Sequence, residues 1–369
     1  MKLINRTMAV FATLAIGLFG FIGKATAEIT VVSWGGAYTM SQQKAYGDTF
    51  PDSPLIGGKA NFVNYNGGLG EVRAQVESGN IKWDVVDVLP SDARVGCDEG
   101  LFEELPRDVF AKAPDGTPMD KDLYQTHLPN DCVVPQIWWS YMAFYKKGTF
   151  SGSQPSTIAD FFNVKKFPGK RGIHTWPQAI IEMALMADGV AGNDVYKVMD
   201  SSGGIDRAFA KLDSIKNHVV FWSAGAKPLE FVMSGEASMA LAYNGRVGAA
   251  NLSEGENFEY IWEGQLIEQE YICLMTGAPD RDRAIDWMIH ASSPTSQAEQ
   301  AKYITYGPMR ASGIDIIKAG EPWFHTGIDV MPHMPNTPEL LKISVMGDPE
   351  WWSDNGAEID ERYGAWMGN

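Results

Sequence analysis

Long uncharged runs are scarce in this 369-residue chain. The one that stands out, Met8 to Ile22, is about 15 residues, short of the ~20 that a helix needs to cross a bilayer. No later stretch is apolar enough to span. Cysteine is as sparse: Cys97, Cys132 and Cys273 form no CxxC pair and neighbour no His, which leaves redox and metal motifs without support. Basic side chains are the minority, 30 against 46 acidic ones, for a net charge of −16. Nucleic acid and anionic membrane surfaces demand positive potential, so neither is an expected partner. The chain also lacks GxSxG, HExxH and GxxxxGK[ST] motifs. Its 6 His are scattered without metal-ligand spacing. No catalytic residue, cofactor or metal site is expected. Repeats and low-complexity tracts are missing too.

What is present is globular. Hydrophobic residues make up 45% and charged residues 21%, and the length suggests about two domains. The first 27 residues read as a cleaved leader: Lys2 and Arg6, then the short apolar run, then Lys24 and the small-x-small triplet Ala25-Thr26-Ala27. The mature chain is expected to start at Glu28 and to act in the periplasm, and no Cys follows the apolar run to carry a lipid anchor. Removing Lys2, Arg6 and Lys24 lowers the basic count from 30 to 27 and takes the net charge from −16 to −19. In an oxidising compartment three cysteines allow one bridge. Cys97 with Cys132 is the favoured pair, because both fall in the same half of the chain.

Strand and helix signals alternate along the mature chain. Ile29–Ser33, Asn61–Val63 and Val85–Leu89 read as strands, with helices over Tyr38–Phe50 and from Leu69 through Val72 and Val76. Gly67-Gly68 marks a turn that requires positive φ, and Ser91 is placed to cap a third helix. After an apolar, aromatic strand at Ile137–Tyr145 the rhythm restarts. Helices are expected at 157–162, 179–187, 205–215 and 228–234, with strands at 172–174, 219–222 and 239–242. A strand at Tyr271–Met275 and a helix at Asp280–His290 follow, then about 60 residues rich in Pro, Trp and turns. Alternation of this kind predicts parallel sheets flanked by helices. No Pro/Gly/Ser linker separates the two units, so the expected lobes are joined by strands that cross a cleft.

Aromatic residues recur where those strands end. Trp34 closes the first, Trp138, Trp139 and Tyr141 lie at the crossover, and Trp176, Trp222 and Tyr243 each follow a short strand. Open α/β sheets bind ligands at the carboxyl ends of strands, and Trp and Tyr offer flat walls and π-faces for cations. Arg246, on a strand–helix turn, presents a planar fork suited to a carboxylate or phosphate. Glu268 and Glu270 flank Gln269 and, with period 2, point to one face, where they could meet an ammonium.

Taken in order, Val32-Ser33-Trp34-Gly35-Gly36-Ala37-Tyr38, Trp83-Asp84-Val85-Val86, Glu182-Met183-Ala184-Leu185-Met186-Ala187-Asp188-Gly189 and Ala242-Tyr243-Asn244-Gly245-Arg246 resemble the periplasmic solute-binding proteins of ABC importers. The spermidine/putrescine-binding group is the branch they look most like, over nearly the whole mature chain. The resemblance implies a type II fold of two α/β lobes, each a parallel-rich sheet flanked by helices and joined by hinge strands. The expected first lobe is 28–137 plus 275–310, and the second 138–267 plus 311–369. It implies a monomer that encloses a small amine-bearing solute and hands it to an inner-membrane permease, without catalysis. By position, Ser33, Trp34, Gly35 and Ser91 would be first-lobe contacts. Trp139, Trp176, Trp222, Tyr243 and Arg246 would be second-lobe contacts, with Glu268, Glu270 and Tyr271 on a hinge strand. One departure matters: polyamine binders of the family carry an acid where Arg246 stands. Their second-lobe acid has no counterpart around Trp176-Pro177-Gln178-Ala179, Glu182 lying one helical turn on. An Arg at that place repels a second ammonium and favours an amino carboxylate such as γ-aminobutyrate. The alternatives are a putrescine or spermidine binder whose Arg246 faces away, a ferric-ion or anion binder using Tyr303 and Tyr306, and an exported hydrolase with Glu182 or Glu270 as base.

Overall fold

The computed structural model describes residues 28–368, so the expected leader lies outside the described residues. Ten strands form one sheet: β1 (Glu28–Ser33), β2 (Lys59–Asn64), β3 (Val85–Val88), β4 (Val133–Lys146), β5 (Arg171–His174), β6 (Val219–Trp222), β7 (Met239–Tyr243), β8 (Phe258–Leu274), β9 (Gly307–Pro308) and β10 (Val345–Met346). Their order is β2-β1-β3-β8-β4-β7-β5-β6, with β9 on β4 and β10 on β8. The fold is the expected two-lobed α/β arrangement. β1 pairs in parallel with β2 and β3 in one lobe, and β5 with β6 and β7 in the other.

The lobes meet through two long antiparallel strands. β4 and β8 pair from Val133↔Cys273 to Lys146↔Phe258. The far end of β8 borders β3, and the far half of β4 borders β7. Register shifts fall between Pro135 and Ile137 and between Tyr141 and Ala143, where the ladder crosses from one lobe to the other. Bulges there bend and twist the ribbon, which re-aims the side chains between them. The sequence shows only the last turn of β8 as a strand, because residues 258–270 mix charged and polar residues with apolar ones. They form a strand because β4 supplies partners along the whole length.

Apolar residues of both helical layers fill the core. The largest cluster covers one face of the second lobe and includes Phe161, Ile181, Leu185, Leu212, Leu241 and Tyr363, all buried. Tyr363 belongs to the helix Pro349–Gly368, which the turn-rich composition of the last 60 residues conceals; its hydroxyl donates to the His174 carbonyl at 2.9 Å. Helix Pro294–Gln300 packs on helix Ala311–Ala319. The fully buried Arg310 donates to Asp122 at 2.8 Å, tying this pair of helices to the loop before β4. Cys97, on helix Pro90–Asp98, is disulfide-bonded to Cys132 at the start of β4, and Cys273 is free and buried. The expected cap by Ser91 is not formed: the helix begins at Pro90, and Leu89 occupies the cap position. Proline at a first helical position needs no N–H partner, so the start lies two residues earlier than expected.

Candidate functional site

A cavity of about 690 Å³ opens between the lobes. The carboxyl ends of β1, β3, β5, β6 and β7 face it, supplying Trp34, Leu89, His174, the turn Ser223–Ala226 and Tyr243, while β4 and β8 give the floor with Trp139, Tyr141, Leu266 and Glu270. This is the place an open α/β sheet offers a ligand.

Seven of the expected contact residues line this cavity: Trp34, Gly35, Trp139, Trp176, Tyr243, Arg246 and Glu270. Five do not. Ser33 is fully buried behind the wall, its hydroxyl donating to Gln42 Oε1. Ser91 sits in the first turn of its helix, away from the opening. Trp222 stands behind His174 and Tyr243, with ring centroids 4.4 and 6.0 Å away, and supports the wall. Tyr271 is packed in the first-lobe core. Glu268 does share a face with Glu270, but Gln178 covers it, donating to its Oε1 at 2.8 Å. Sequence reasoning missed Tyr38, Tyr65, His174 and Gln178, and raised Tyr141 only among the crossover aromatics and Tyr306 only for a ferric ion; all six line the cavity. Of these, His174 ends a predicted strand and Tyr141 lies at the crossover, so both carried the same signal as the tryptophans. Of the two tyrosines raised for a ferric-ion reading, Tyr306 lines the cavity, while Tyr303 stacks on His325 with centroids 5.6 Å apart. The described residues contain no group of three His, Cys, Asp or Glu side chains able to hold a metal ion.

Trp34 is held by close packing. Its ring lies 4.8 Å from that of Tyr65, and a Cβ on Gly67 would come within 2.8 Å of it. Gly67 has φ of 85°, so glycine serves both the turn and the approach. Trp139, Tyr141, Tyr243 and Trp222 form a cluster of mostly edge-on rings with centroids 5.5–6.0 Å apart. His174 closes this cluster towards Trp176, its Nδ1 accepting from the Trp176 N–H at 2.8 Å. Burial pushes the His174 imidazole down to about 4, so it stays neutral at physiological pH.

The cavity has two charged poles. Arg246 lies in the first turn of helix Asn244–Ser253, where backbone N–H groups and the helix dipole add positive potential. Asn244 anchors that turn through Ser140 N and Thr305 O. The guanidinium reaches across the cleft to the Trp34 and Gly35 carbonyls at 3.4 Å each, and Nε is buried without a hydrogen-bond partner. A Cβ on Gly225 would come within 2.7 Å of that Nε, so this glycine makes room for the fork. The opposite pole is Glu270, 5% exposed, which accepts from the Tyr38 hydroxyl at 2.5 Å. Burial and then the neighbouring Asp87 push its carboxyl well above the usual range. Among the described residues Arg246 and Glu270 form no ion pair within 4.0 Å, with each other or with any other group. Buried Nε1 of Trp34 and the Tyr141 hydroxyl also lack partners. A wall of aromatic faces with one cationic and one acidic pole, neither in an ion pair among the described residues, suits a small molecule that carries both charges.

The family of bacterial extracellular solute-binding proteins matches over residues 57–325. The γ-aminobutyric acid-binding protein of Pseudomonas aeruginosa is 34% identical over 368 residues, 99% of each chain. Among solved structures, the binding protein MotA of A. tumefaciens B6 in complex with glucopine is 26% identical, with a TM-score of 0.78 over 92% of this chain and 100% of that one. The Atu4243-GABA receptor is 28% identical, with a TM-score of 0.76 over 92% and 98%. A putative spermidine/putrescine ABC transporter from Listeria monocytogenes shares the fold at 17% identity, with a TM-score of 0.66 over 91% and 98%.

Proposed function

The chain belongs to the bacterial extracellular solute-binding proteins, and from that premise we propose that it captures a small amino carboxylate of the γ-aminobutyrate class in the periplasm and delivers it to the permease of an ABC importer. The observation that carries this reading is the pair of poles: Arg246 and Glu270 line one cavity, and among the described residues neither is in an ion pair. A ligand carboxylate on Arg246 makes charge-assisted bonds, and its ammonium meets Glu270 and the faces of the aromatic wall. A diamine would place its second ammonium against the guanidinium, at a cost in like-charge repulsion. γ-Aminobutyrate in the names of a 34%-identical binding protein and a 28%-identical receptor structure supports the same choice.

Capture then follows from closure. We take the lobes as 28–137 plus 275–310, and 138–267 plus 311–369, moving about the crossing of β4 and β8. Arg246 reaches from one lobe to the Trp34 and Gly35 carbonyls of the other, so the closed form is sealed by a group that the ligand also touches. Release falls to the permease. The protein acts as a monomer and performs no covalent chemistry. Calorimetric titration with γ-aminobutyrate and putrescine tests the charge preference. Wild type is expected to favour γ-aminobutyrate, and Arg246→Asp to weaken it by ~1.5–3 kcal/mol and improve the diamine. Tight putrescine binding by wild type, with every carboxylate ligand ignored, would return the protein to the polyamine-binding reading.

A further inference from the structure

Behind Glu270 lies a second buried carboxylate that does not line the cavity. Asp87, on β3, is fully buried, as is Gln136 on β4 between them. With its amide nitrogen turned towards the acceptors, Gln136 stands 3.3 Å from Asp87 Oδ1, 3.2 Å from Glu270 Oε1 and 2.9 Å from the Tyr38 hydroxyl. Gln42 donates to Asp87 Oδ2 at 2.7 Å and accepts from Ser33. One neutral bridge thus couples two acids that have almost no access to water.

The groups that face this pair are nearly all neutral. Ser33 comes from β1, Tyr38 and Gln42 from helix Gly36–Gln42, and Tyr46 from the turn after it. Tyr65 donates to the Asp87 carbonyl, and the Cys273 thiol of β8 lies beside Asp87. Tyr243 and Tyr306 face Glu270 from the cavity side. Among the described residues Arg246 bears on Glu270 from beyond ion-pair distance, and Asp87 is in no ion pair. Two negative charges in so dry a place repel strongly, and such pairs share a proton.

We propose that ligand capture is proton-linked, the Asp87–Gln136–Glu270 bridge holding a proton in the free protein and releasing it when a ligand ammonium seats on Glu270. The inference rests on the amino-carboxylate reading for its ligand. On binding, a carboxyl O–H bond breaks, its electron pair stays on the carboxylate, and the proton passes to the solvent buffer. The ammonium takes over the positive charge that the proton supplied. Burial pushes Asp87 up to about 8, and burial together with Asp87 raises Glu270, so the proton is present at neutral pH. The pair titrates as a unit. Asp87 is therefore a positioning residue for charge rather than for shape.

The sign is fixed by linkage. Below the pair's titration the ligand must expel a proton, so affinity rises towards tenfold per pH unit. Above it the acids are already ionised and the dependence flattens. Calorimetry of γ-aminobutyrate in two buffers of different ionisation enthalpy at pH 7 should show close to one proton released. Asp87→Asn keeps the bond from Gln42 and lowers the titration of Glu270. It should bind several-fold more tightly than wild type at pH 6 and equally at pH 8.5, an outcome that loss of structure does not produce. Tight binding with no buffer dependence, or an unshifted pH profile in Asp87→Asn, would overturn the proton linkage and leave the ligand reading intact. If γ-aminobutyrate does not bind, putrescine carries the same ammonium and serves as the probe. Binding of neither at any pH removes the ammonium site and overturns both.

Discussion

Glu268 and Glu270 stand two residues apart on one face of β8, and the molecule treats them differently. Both are buried, at 2% and 5% exposure, and neither has a cation within 4.0 Å among the described residues. Glu270 lines the cavity and is bridged to Asp87. Glu268 is roofed by Gln178 and packs against Gly347, and the charge of Glu182 adds to burial in pushing it up to about 8. Glu182 in turn accepts from Tyr196 and Trp352, at 2.8 and 2.7 Å. Each of this second pair keeps one oxygen without a partner. The chain therefore buries two acid pairs, and a single amide, Gln178, stands between the cavity and the second of them.

The largest expected effect separates the two glutamates by binding. At pH 8, Glu270→Gln should weaken γ-aminobutyrate by ~1.5–3 kcal/mol, tenfold to a hundredfold or more in Kd, because it removes the charged acceptor of the ammonium. Glu268→Gln keeps the hydrogen bond from Gln178 and should stay within about threefold of wild type. Equal losses in both variants would place both carboxylates in contact with the ligand and break the distinction.

Stability measures the same pair from the other side. The folded Glu268 carboxyl titrates at about 8, above its value in the unfolded chain, so the folded state holds a proton that the unfolded state has lost. Its contribution is fully present below the unfolded value near 4.5 and is lost as pH rises towards 8. Glu268→Gln removes that loss. Relative to wild type the variant should gain stability between pH 5 and 8, by on the order of 1 kcal/mol, below the full linkage slope because Glu182 shares the titration. Denaturant melts at the two pH values check it. A constant difference between variant and wild type would mean that Glu268 is already ionised at pH 5.

Much of this was legible in the sequence. Period 2 places both glutamates on one face, and the strand-end rule found Trp34, Trp139, Trp176, Tyr243 and Arg246. What it could not supply was depth. Trp222 ends β6 and Trp176 lies two residues beyond the end of β5, and Trp222 is buried behind His174 while Trp176 is 43% exposed at the mouth. Tyr38, Tyr65 and Tyr306 come from a helix, a loop after β2 and the segment before β9, and reach the cavity only because the lobes bring distant chain together. Asp87 lay inside a run read as a buried strand, where a charged residue was itself the signal. An acid at 0% exposure on a central strand needs partners, and those partners led to Glu270.

The smallest expected effect concerns the amide that divides the two pairs. Gln178 follows Pro177 in the turn before helix Ile180–Ala187; it lines the cavity on one side and holds Glu268 Oε1 on the other. Gln178→Ala removes the donor and opens a path from the cavity to a carboxylate that already has one oxygen without a partner. A dication could then place its second ammonium on Glu268, away from Arg246. Water entering the same space solvates Glu268 and offsets part of the attraction, so the gain is modest. Putrescine should bind about threefold more tightly to Gln178→Ala than to wild type, while γ-aminobutyrate, whose two charges the proposed reading matches with Arg246 and Glu270, should change less than that. Adding Glu268→Gln to Gln178→Ala should cancel the putrescine gain, since the amide of a glutamine carries no charge to meet the ammonium. A gain that survives in the double variant would come from added space alone, and Gln178 would then be a filler of the cavity rather than the partition between two acids.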